Sequence, residues 1–410
     1  MIKTLIRYTA TALTCVILAV SIPFTSYADT TNEYQQQMEE RKSLPIQSNE
    51  IANWPEGPAI GAESAILMEM NTHTILYAKN IHEEMYPAST TKIMTCLLSA
   101  QNCNLDEKVT FSHNAVYGVP SDGSNMGIDE GEVITMEQAM YGILVGSANE
   151  AASAVGEHVA EALGKEPTQE AFAQIMNDKA KELGCENTHF VNANGLFDEN
   201  HYTSAYDLAL IGCEFFNNEL LCKMSSTSHY NIPPTDTQPD DIWINSKNQL
   251  YKGKEHAYPY LLGSKTGFVS QARQTLVSGA EKDGMKLVCV VFMEESPNQF
   301  TDTIQLFNYG FENFEKVDMK VSMEPVPFKV LPCDKYILKN NGNTYPFYYQ
   351  TNVYVTVPKG TKRSQLTKRQ AVLQNAAGPL RLKSKYYQKQ MVGWGMQYER
   401  NIVSDLLLAS

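Results

Sequence analysis

The stretch that decides the fold is QTLVSGAEKDGMKLVCVVFME, residues 274–294. Two apolar runs flank Asp283-Gly284, a dipeptide that readily adopts the positive φ angles of a tight hairpin turn. They read as adjacent antiparallel strands. Just upstream, LLGSKTGF (261–268) reads as a further strand, and downstream TDTIQLFNYGFENF (301–314) reads as a closing helix. Far earlier, SAILMEMNTHTILYAKN (64–80) alternates around a polar centre at Asn71-Thr72 and reads as a β-hairpin. Between these the period is helical. One helical stretch runs from Thr91 through Ile93, Met94, Leu97 and Leu98. A second runs from Thr135 through Met140, Ile143 and Leu144. A third begins near Asn149 and includes Ala152, Val155 and Val159, and a fourth covers 170–183. Strands, helices, strands and a last helix predict one antiparallel sheet flanked by helices, with an inserted helical lobe. From about residue 319 to 410, short β-type runs such as YPFYYQTNVYVTVP alternate with turn residues, which predicts a small all-β domain.

The 410 residues allow two or three domains, and 43% hydrophobic content excludes wholesale disorder. A net charge of -13 argues against the chain as a whole binding nucleic acid. Lys3 and Arg7 precede an apolar run, TATALTCVILAVSIPF, followed by Ser26-Tyr27-Ala28. A positive start, an apolar centre and small residues at the cleavage positions predict an export signal cut after Ala28. Residues 29–58 are polar, end in WPEGP, and read as a leader or linker before a domain at 59–318. Between Lys359 and Lys389 there are nine Lys or Arg and no acid. That stretch reads as a solvated strand face or as a contact to anionic wall polymers or lipid head groups.

Of eight cysteines, seven remain after cleavage, and none form a Cys-x-x-Cys pair, so no disulfide framework is expected. The histidines show no His-x-x-x-His pair and no Cys/His cluster with zinc spacing, so no metal is expected.

Three short motifs carry chemistry. In PASTTKIMT (87–95), Ser89 and Lys92 are three positions apart at a helix start, on one face. A serine hydroxyl needs a neighbouring base to become a nucleophile, and a lysine shielded from water can be that base. The helix N-terminus favours developing negative charge. Ser147-Ala148-Asn149 lies in a Gly-flanked break, LVGSANEAA, where side chains can enter a cleft; Ser147 is also placed to cap the next helix. Lys265-Thr266-Gly267 opens a strand. A cation and a hydroxyl there suit a carboxylate, and the glycine leaves room for substrate backbone.

Taken together and in this order, the motifs resemble those of the D-alanyl-D-alanine carboxypeptidases, the low-molecular-mass penicillin-binding serine peptidases. The likeness extends to the opening hairpin, to NANGLFDENHYTSAYDLALI (192–211) and to YGFENF (309–314), and so covers about 59–315. It implies a penicillin-binding/β-lactamase-like α/β domain and removal of the terminal D-Ala from peptidoglycan stem peptides, with β-lactams as covalent inhibitors. It implies that Ser89 attacks, Lys92 is the general base, and Ser147, helped by Lys265, relays a proton to the leaving group. Asn149 would orient the substrate carbonyl or Lys92, and Thr266 would contact the terminal carboxylate. The backbone N–H groups of Ser89 and Phe268 would form the oxyanion hole. No metal or organic cofactor is implied.

The chain departs from the family pattern in places. Ala148 replaces a common glycine, Ala193-Asn194 replaces Pro-His, and the first hairpin turn has no glycine. The family's carboxylate-binding arginine falls on Gln299, with Arg273 as another source of charge. MVGWGMQYERNIVSDLLLAS aligns with final β-domain strands, so no amphipathic membrane anchor is expected. Three other readings stay open: a wall-binding protein with a weak active site, a D,D-endopeptidase, and a serine β-lactamase. The last lacks a Glu-x-x-Leu-Asn segment to supply a deacylating base.

Overall fold

The computed structural model describes residues 25–318, 326–327, 344–345, 354–375, 378–388 and 390–398. Most of the expected export signal and the extreme C-terminus lie outside these residues. The described residues open with α1 (Thr25–Lys42), then β1 (Ser64–Glu69), β2 (Ile75–Lys79) and α2 (Lys92–Asn102). The helical lobe contains β3 (Lys108–Thr110), α3 (His113–Tyr117), β4 (Val133–Thr135), α4 (Met136–Tyr141), α5 (Asn149–Ala162) and α6 (Gln169–Glu182). Next come α7 (Ala205–Phe216), α8 (Glu219–Ser225), β5 (His229–Ile232) and β6 (Ile242–Asn245). Then follow β7 (Leu261–Val269), β8 (Arg273–Lys282), β9 (Met285–Glu294), α9 (Asn298–Asn313) and β10 (Phe314–Asp318).

Among the described residues, the main sheet has the order β2-β1-β9-β8-β7, and every neighbouring pair is antiparallel. The LVCVVF run of β9 is apolar throughout because both of its faces are covered. Val288, Val290 and Phe292 face the helical lobe, while Leu287, Cys289 and Val291 join a second core with Phe300, Leu306 and Phe307 of α9. β1 does the same, with Ile66 and Met68 in one core and Ala65 and Leu67 in the other. Each Val, Leu, Ile, Met or Phe among them contributes about 1.5–3 kcal/mol by leaving water. Local signals set the helix starts: Thr168, Ser204 and Asn218 cap α6, α7 and α8 by accepting backbone N–H groups. Thr135 and Gln138 form a capping box on α4.

Two expectations change. The segment 29–58 is not a free linker. Arg41, Ser48 and Trp54 are buried against the domain. The Arg41 side chain donates to the Gly61 carbonyl and pairs with Glu295. The fully buried Lys79 donates from Nζ to the carbonyls of Arg41 (2.7 Å) and Ile60 (2.9 Å). The polar composition hid this because the anchors are a backbone carbonyl and single side chains, Arg41, Ser48 and Trp54, scattered among polar residues. The region after 318 is also not wholly apart. A strand at Tyr354–Pro358 pairs with β10, its Val355 and Val357 join the α9 core, and Tyr354 donates to Glu69 at 2.8 Å. The strands at 367–375, 378–387 and 390–398 form their own antiparallel sheet. The β3/β4 pair and the β5/β6 hairpin were not foreseen from periodicity, being only three or four residues per strand.

A chain beginning at Ala59 should therefore melt about 10 °C below one beginning at Asp29. The shorter chain leaves the buried Lys79 without the Arg41 carbonyl, one of its two acceptors, and takes the Trp54 side chain out of the core, a loss of about 3–5 kcal/mol. Differential scanning calorimetry of the two purified chains checks this; equal Tm values would show that 29–58 adds nothing.

Candidate active site

Ser89 sits in a turn of 3-10 helix, Ala88–Thr91, that runs straight into α2. Three neighbours fix the turn. Thr275 of β8 donates its hydroxyl to the Pro87 carbonyl at 3.0 Å, and Thr90 donates to the same oxygen at 2.6 Å. Gly195 presses against the Ala88 carbonyl so closely that a Cβ there would overlap the oxygen, and its φ of +82° is open chiefly to glycine.

Lys92 opens α2, with its side chain fully buried. Its Nζ stands 2.9 Å from Ser89 Oγ, 2.8 Å from Asn149 Oδ1 and 2.5 Å from the Asn194 carbonyl oxygen. Burial, reinforced by the Lys265 charge, holds its pKa well below the usual lysine range. Glu150 opposes this shift. A neutral amine beside a serine hydroxyl can accept its proton.

Ser147 follows a π-helical turn, Gly142–Gly146, and adopts left-handed backbone with φ 61°. Such turns and strained dihedrals recur at functional sites. The N-cap of α5 is Ala148, with no side-chain cap bond, so the capping role open to Ser147 is not the one it takes. Its Oγ instead receives a hydrogen bond from Lys265 Nζ at 3.0 Å. The unforeseen β5/β6 hairpin supports this turn. Ile244 packs so tightly on Gly146 that a Cβ there would come within 2.6 Å, and Tyr230 stacks on Tyr141 at 3.8 Å.

Lys265 projects from the edge strand β7, is 2% exposed, and also donates to the Thr266 carbonyl at 2.7 Å. Burial is the main cause that lowers its pKa to about 7. Among the described residues neither lysine has a carboxylate in ion-pair contact. Gly267 brings β7 against the nucleophile, since a Cβ there would stand 2.9 Å from Ser89 N and 3.0 Å from the Pro87 oxygen. Phe268, next in the strand, has an exposed ring, and Thr266 is half-buried.

The profile of the D-alanyl-D-alanine carboxypeptidases, peptidase family S11, matches residues 51–296. The chain belongs to this family. DacF of Bacillus subtilis, a D-alanyl-D-alanine carboxypeptidase, is 35% identical over 262 residues, which span 62% of this chain and 63% of that one. DacA of Haemophilus influenzae, with the same description, is 27% identical over 79% of both chains. Among solved structures, penicillin-binding protein 5 of Haemophilus influenzae aligns at 25% identity with a TM-score of 0.65, covering 84% of this chain and 98% of that one. A serine-to-alanine mutant of the Streptomyces K15 DD-transpeptidase aligns at 28% identity with a TM-score of 0.56, over 62% and 99%. The fold is thus that of the penicillin-binding carboxypeptidases, an antiparallel sheet flanked by helices.

Ser89, Lys92, Ser147, Asn149, Lys265 and Gly267 lie together around the Ser89 turn. Gln299 and Arg273 do not join them as free anchors. Gln299 is 3% exposed and donates its amide to Gln274 at 3.3 Å. Arg273 forms a two-pronged pair with Glu295, at 3.1 and 2.6 Å, and lies over the Tyr34 ring. Its guanidinium is therefore already matched to a carboxylate.

Sequence reading passed over several supporting residues. The carbonyl of Asn194, noted only as a departure from the family pattern, touches Lys92. His201 accepts from the Val191 N–H on Nδ1, so Nε2 carries the proton and donates to Thr91 Oγ1 at 2.8 Å. Burial lowers its pKa to about 3, so it is neutral. The HYTSAYDLA likeness was the signal for it.

Adding one methyl group at Gly267 should push β7 off the Ser89 amide by a few tenths of an ångström or more. Gly267→Ala is expected to slow covalent labelling by a fluorescent penicillin about a hundredfold, in line with misplacement costs elsewhere. Labelling at the unaltered rate would show that the close strand approach is not needed.

Proposed function

We propose that this chain is a serine-type D-Ala-D-Ala carboxypeptidase acting on peptidoglycan stem peptides outside the cytoplasm. The observation that supports this reading above all is the 2.9 Å approach of a buried, charge-poor lysine to Ser89 Oγ, opposite a second serine–lysine pair.

In this reading Lys92 Nζ takes the Ser89 proton as Oγ bonds to the carbonyl carbon of the penultimate D-Ala. The backbone N–H groups of Ser89 and Phe268 hold the oxyanion. Collapse breaks the C–N bond to the terminal D-Ala. The departing nitrogen takes a proton through the Ser147 hydroxyl, backed by Lys265. Water then attacks the ester, releasing the shortened peptide and restoring Ser89. A β-lactam opens its ring on Ser89 by the same first step. Thr266 and the Lys265 charge draw the terminal carboxylate. Residues 1–28 direct export, and the basic stretch 359–389 offers a contact to anionic wall polymers. Among the described residues no helix is long and apolar enough to cross a membrane.

Ser89→Ala should abolish covalent penicillin labelling, seen by gel fluorescence, and release of D-Ala from a D-Ala-D-Ala peptide, while Tm stays within a few degrees. Labelling of the variant at the original rate would disprove the nucleophile.

The pH dependence follows from the two lysines. kcat/KM should climb as Lys92 loses its proton. It should decline above about pH 7, where Lys265 loses its own. Lys265→Arg, which keeps its charge, should remove the alkaline decline. A flat profile in both proteins would refute the assignment.

Gln299 cannot form the charged pair that an arginine makes with a carboxylate, so D-Ala release should lag β-lactam acylation. Provided the longer side chain of Gln299→Arg leaves the Gln274 contact and reaches the cleft, it should raise kcat/KM for peptide about tenfold, within the worth of charged hydrogen bonds, and raise acylation less. No change in peptide turnover would end this argument.

A further inference from the structure

Away from the nucleophile, three side chains from three segments meet at the far end of the helical lobe. Cys103 follows the last residue of α2, Glu107 lies in the loop before β3, and His158 is on α5. Their Sγ, carboxylate oxygen and imidazole nitrogen all lie within 4.8 Å of one another. Glu107 Oε2 stands 2.9 Å from His158 Nε2. Its other oxygen, Oε1, accepts from the backbone N–H and the side-chain amide of Asn104, at 2.7 and 2.8 Å. The carboxylate is therefore oriented before any ligand arrives, as outer partners orient metal ligands. The group is half-buried, so its open side meets solvent.

We propose that Cys103, Glu107 and His158 form a binding site for a zinc-class divalent cation, with water as the fourth ligand. The donor set decides the class. One thiolate, one imidazole and one carboxylate suit Zn²⁺, whereas Mg²⁺ and Ca²⁺ need several oxygens. At zinc bond lengths of about 2.0–2.3 Å, tetrahedral donors stand about 3.3–3.8 Å apart. The Glu107–His158 separation of 2.9 Å lies just below that range and no pair of donors exceeds 4.8 Å, so shifts of about 1 Å close the site. Binding releases the Cys103 proton to solvent as the sulfur bonds the metal.

The site would staple the helices that carry the catalytic groups. Lys92 is the first residue of α2 and Asn149 the first of α5. Cys103 and His158 lie about 14–16 Å further along them, at about 1.5 Å per residue. A cation there would hold the two helices together at the end opposite the Lys92–Asn149 contact. Neither the catalytic residues nor the carboxypeptidase reading is needed for this inference.

The test uses the full mature chain, stripped with a chelator and titrated with Co²⁺ and then Zn²⁺. One equivalent of Co²⁺ should produce a thiolate-to-cobalt charge-transfer band that Zn²⁺ abolishes. Zinc at about a hundredfold excess over Kd should raise Tm by about 5 °C. Cys103→Ser should lose the band, weaken zinc at least about a hundredfold and lose the Tm rise, with penicillin labelling as the check on folding. Cys185→Ser and Cys222→Ser, which change the other half-buried thiols among the described residues, should keep all three responses. Absence of a band in the unaltered protein, or a band that persists in Cys103→Ser, would overturn the proposal.

Discussion

The amine of Lys92 is enclosed by protein, and its three contacts tie together the three parts of the cleft. One reaches Ser89 in its own turn, one reaches Asn149 at the head of α5, and one reaches the Asn194 carbonyl in the loop before α7. Water excluded from this position would otherwise stabilise an ammonium, so removing it favours the neutral base. The same enclosure makes the site depend on the whole lobe. If α5 or the 192–203 loop moved, water would enter and the lysine would recover its charge.

Lys265 is the second half of this arrangement. It comes from the edge of the sheet, while Ser147 comes from the lobe, and their 3.0 Å contact closes the cleft between them. With no paired acid at hand, the Lys265 charge adds to burial in weakening the hold of Lys92 on its proton. Such a pair is costly to bury, which explains why so much structure is concentrated behind it. β8 holds the Ser89 turn through Thr275, and the β5/β6 hairpin holds the Ser147 turn through Ile244. Segment 41–62 locks the opposite edge of the sheet through Lys79.

The sheet and its chemistry were legible at different levels. Hairpin 64–80 and strands 261–294 were visible because apolar residues alternate or run continuously between turn dipeptides. The helices at 92–102, 149–162 and 169–182 were visible from their 3.6-residue period. The short strand pairs were not, because three or four residues hold too few repeats to show a period. Segment 41–58 looked like a linker because its anchors, the Arg41 carbonyl and the side chains of Arg41, Ser48 and Trp54, stand singly among polar residues and show no period. The Cys103, Glu107 and His158 group escaped a search for metal spacing because His158 lies 51 positions beyond Glu107.

By itself, the sequence determined which residues could do chemistry: Ser89 with Lys92 in one helical turn, then Ser147, Asn149 and Lys265 by type and order. Local spacing places Ser89 beside Lys92 without help from the rest of the chain, since three residues along a helix bring side chains to one face. Only the tertiary structure decided that Lys265 meets Ser147 across 118 positions, that Asn194 lends its carbonyl, and that Arg273 turns to Glu295 instead of the cleft. Those outcomes depend on burial, which sets charge states, and on backbone approach at Gly195 and Gly267. Both arise only when distant segments pack together, so no local pattern carries them.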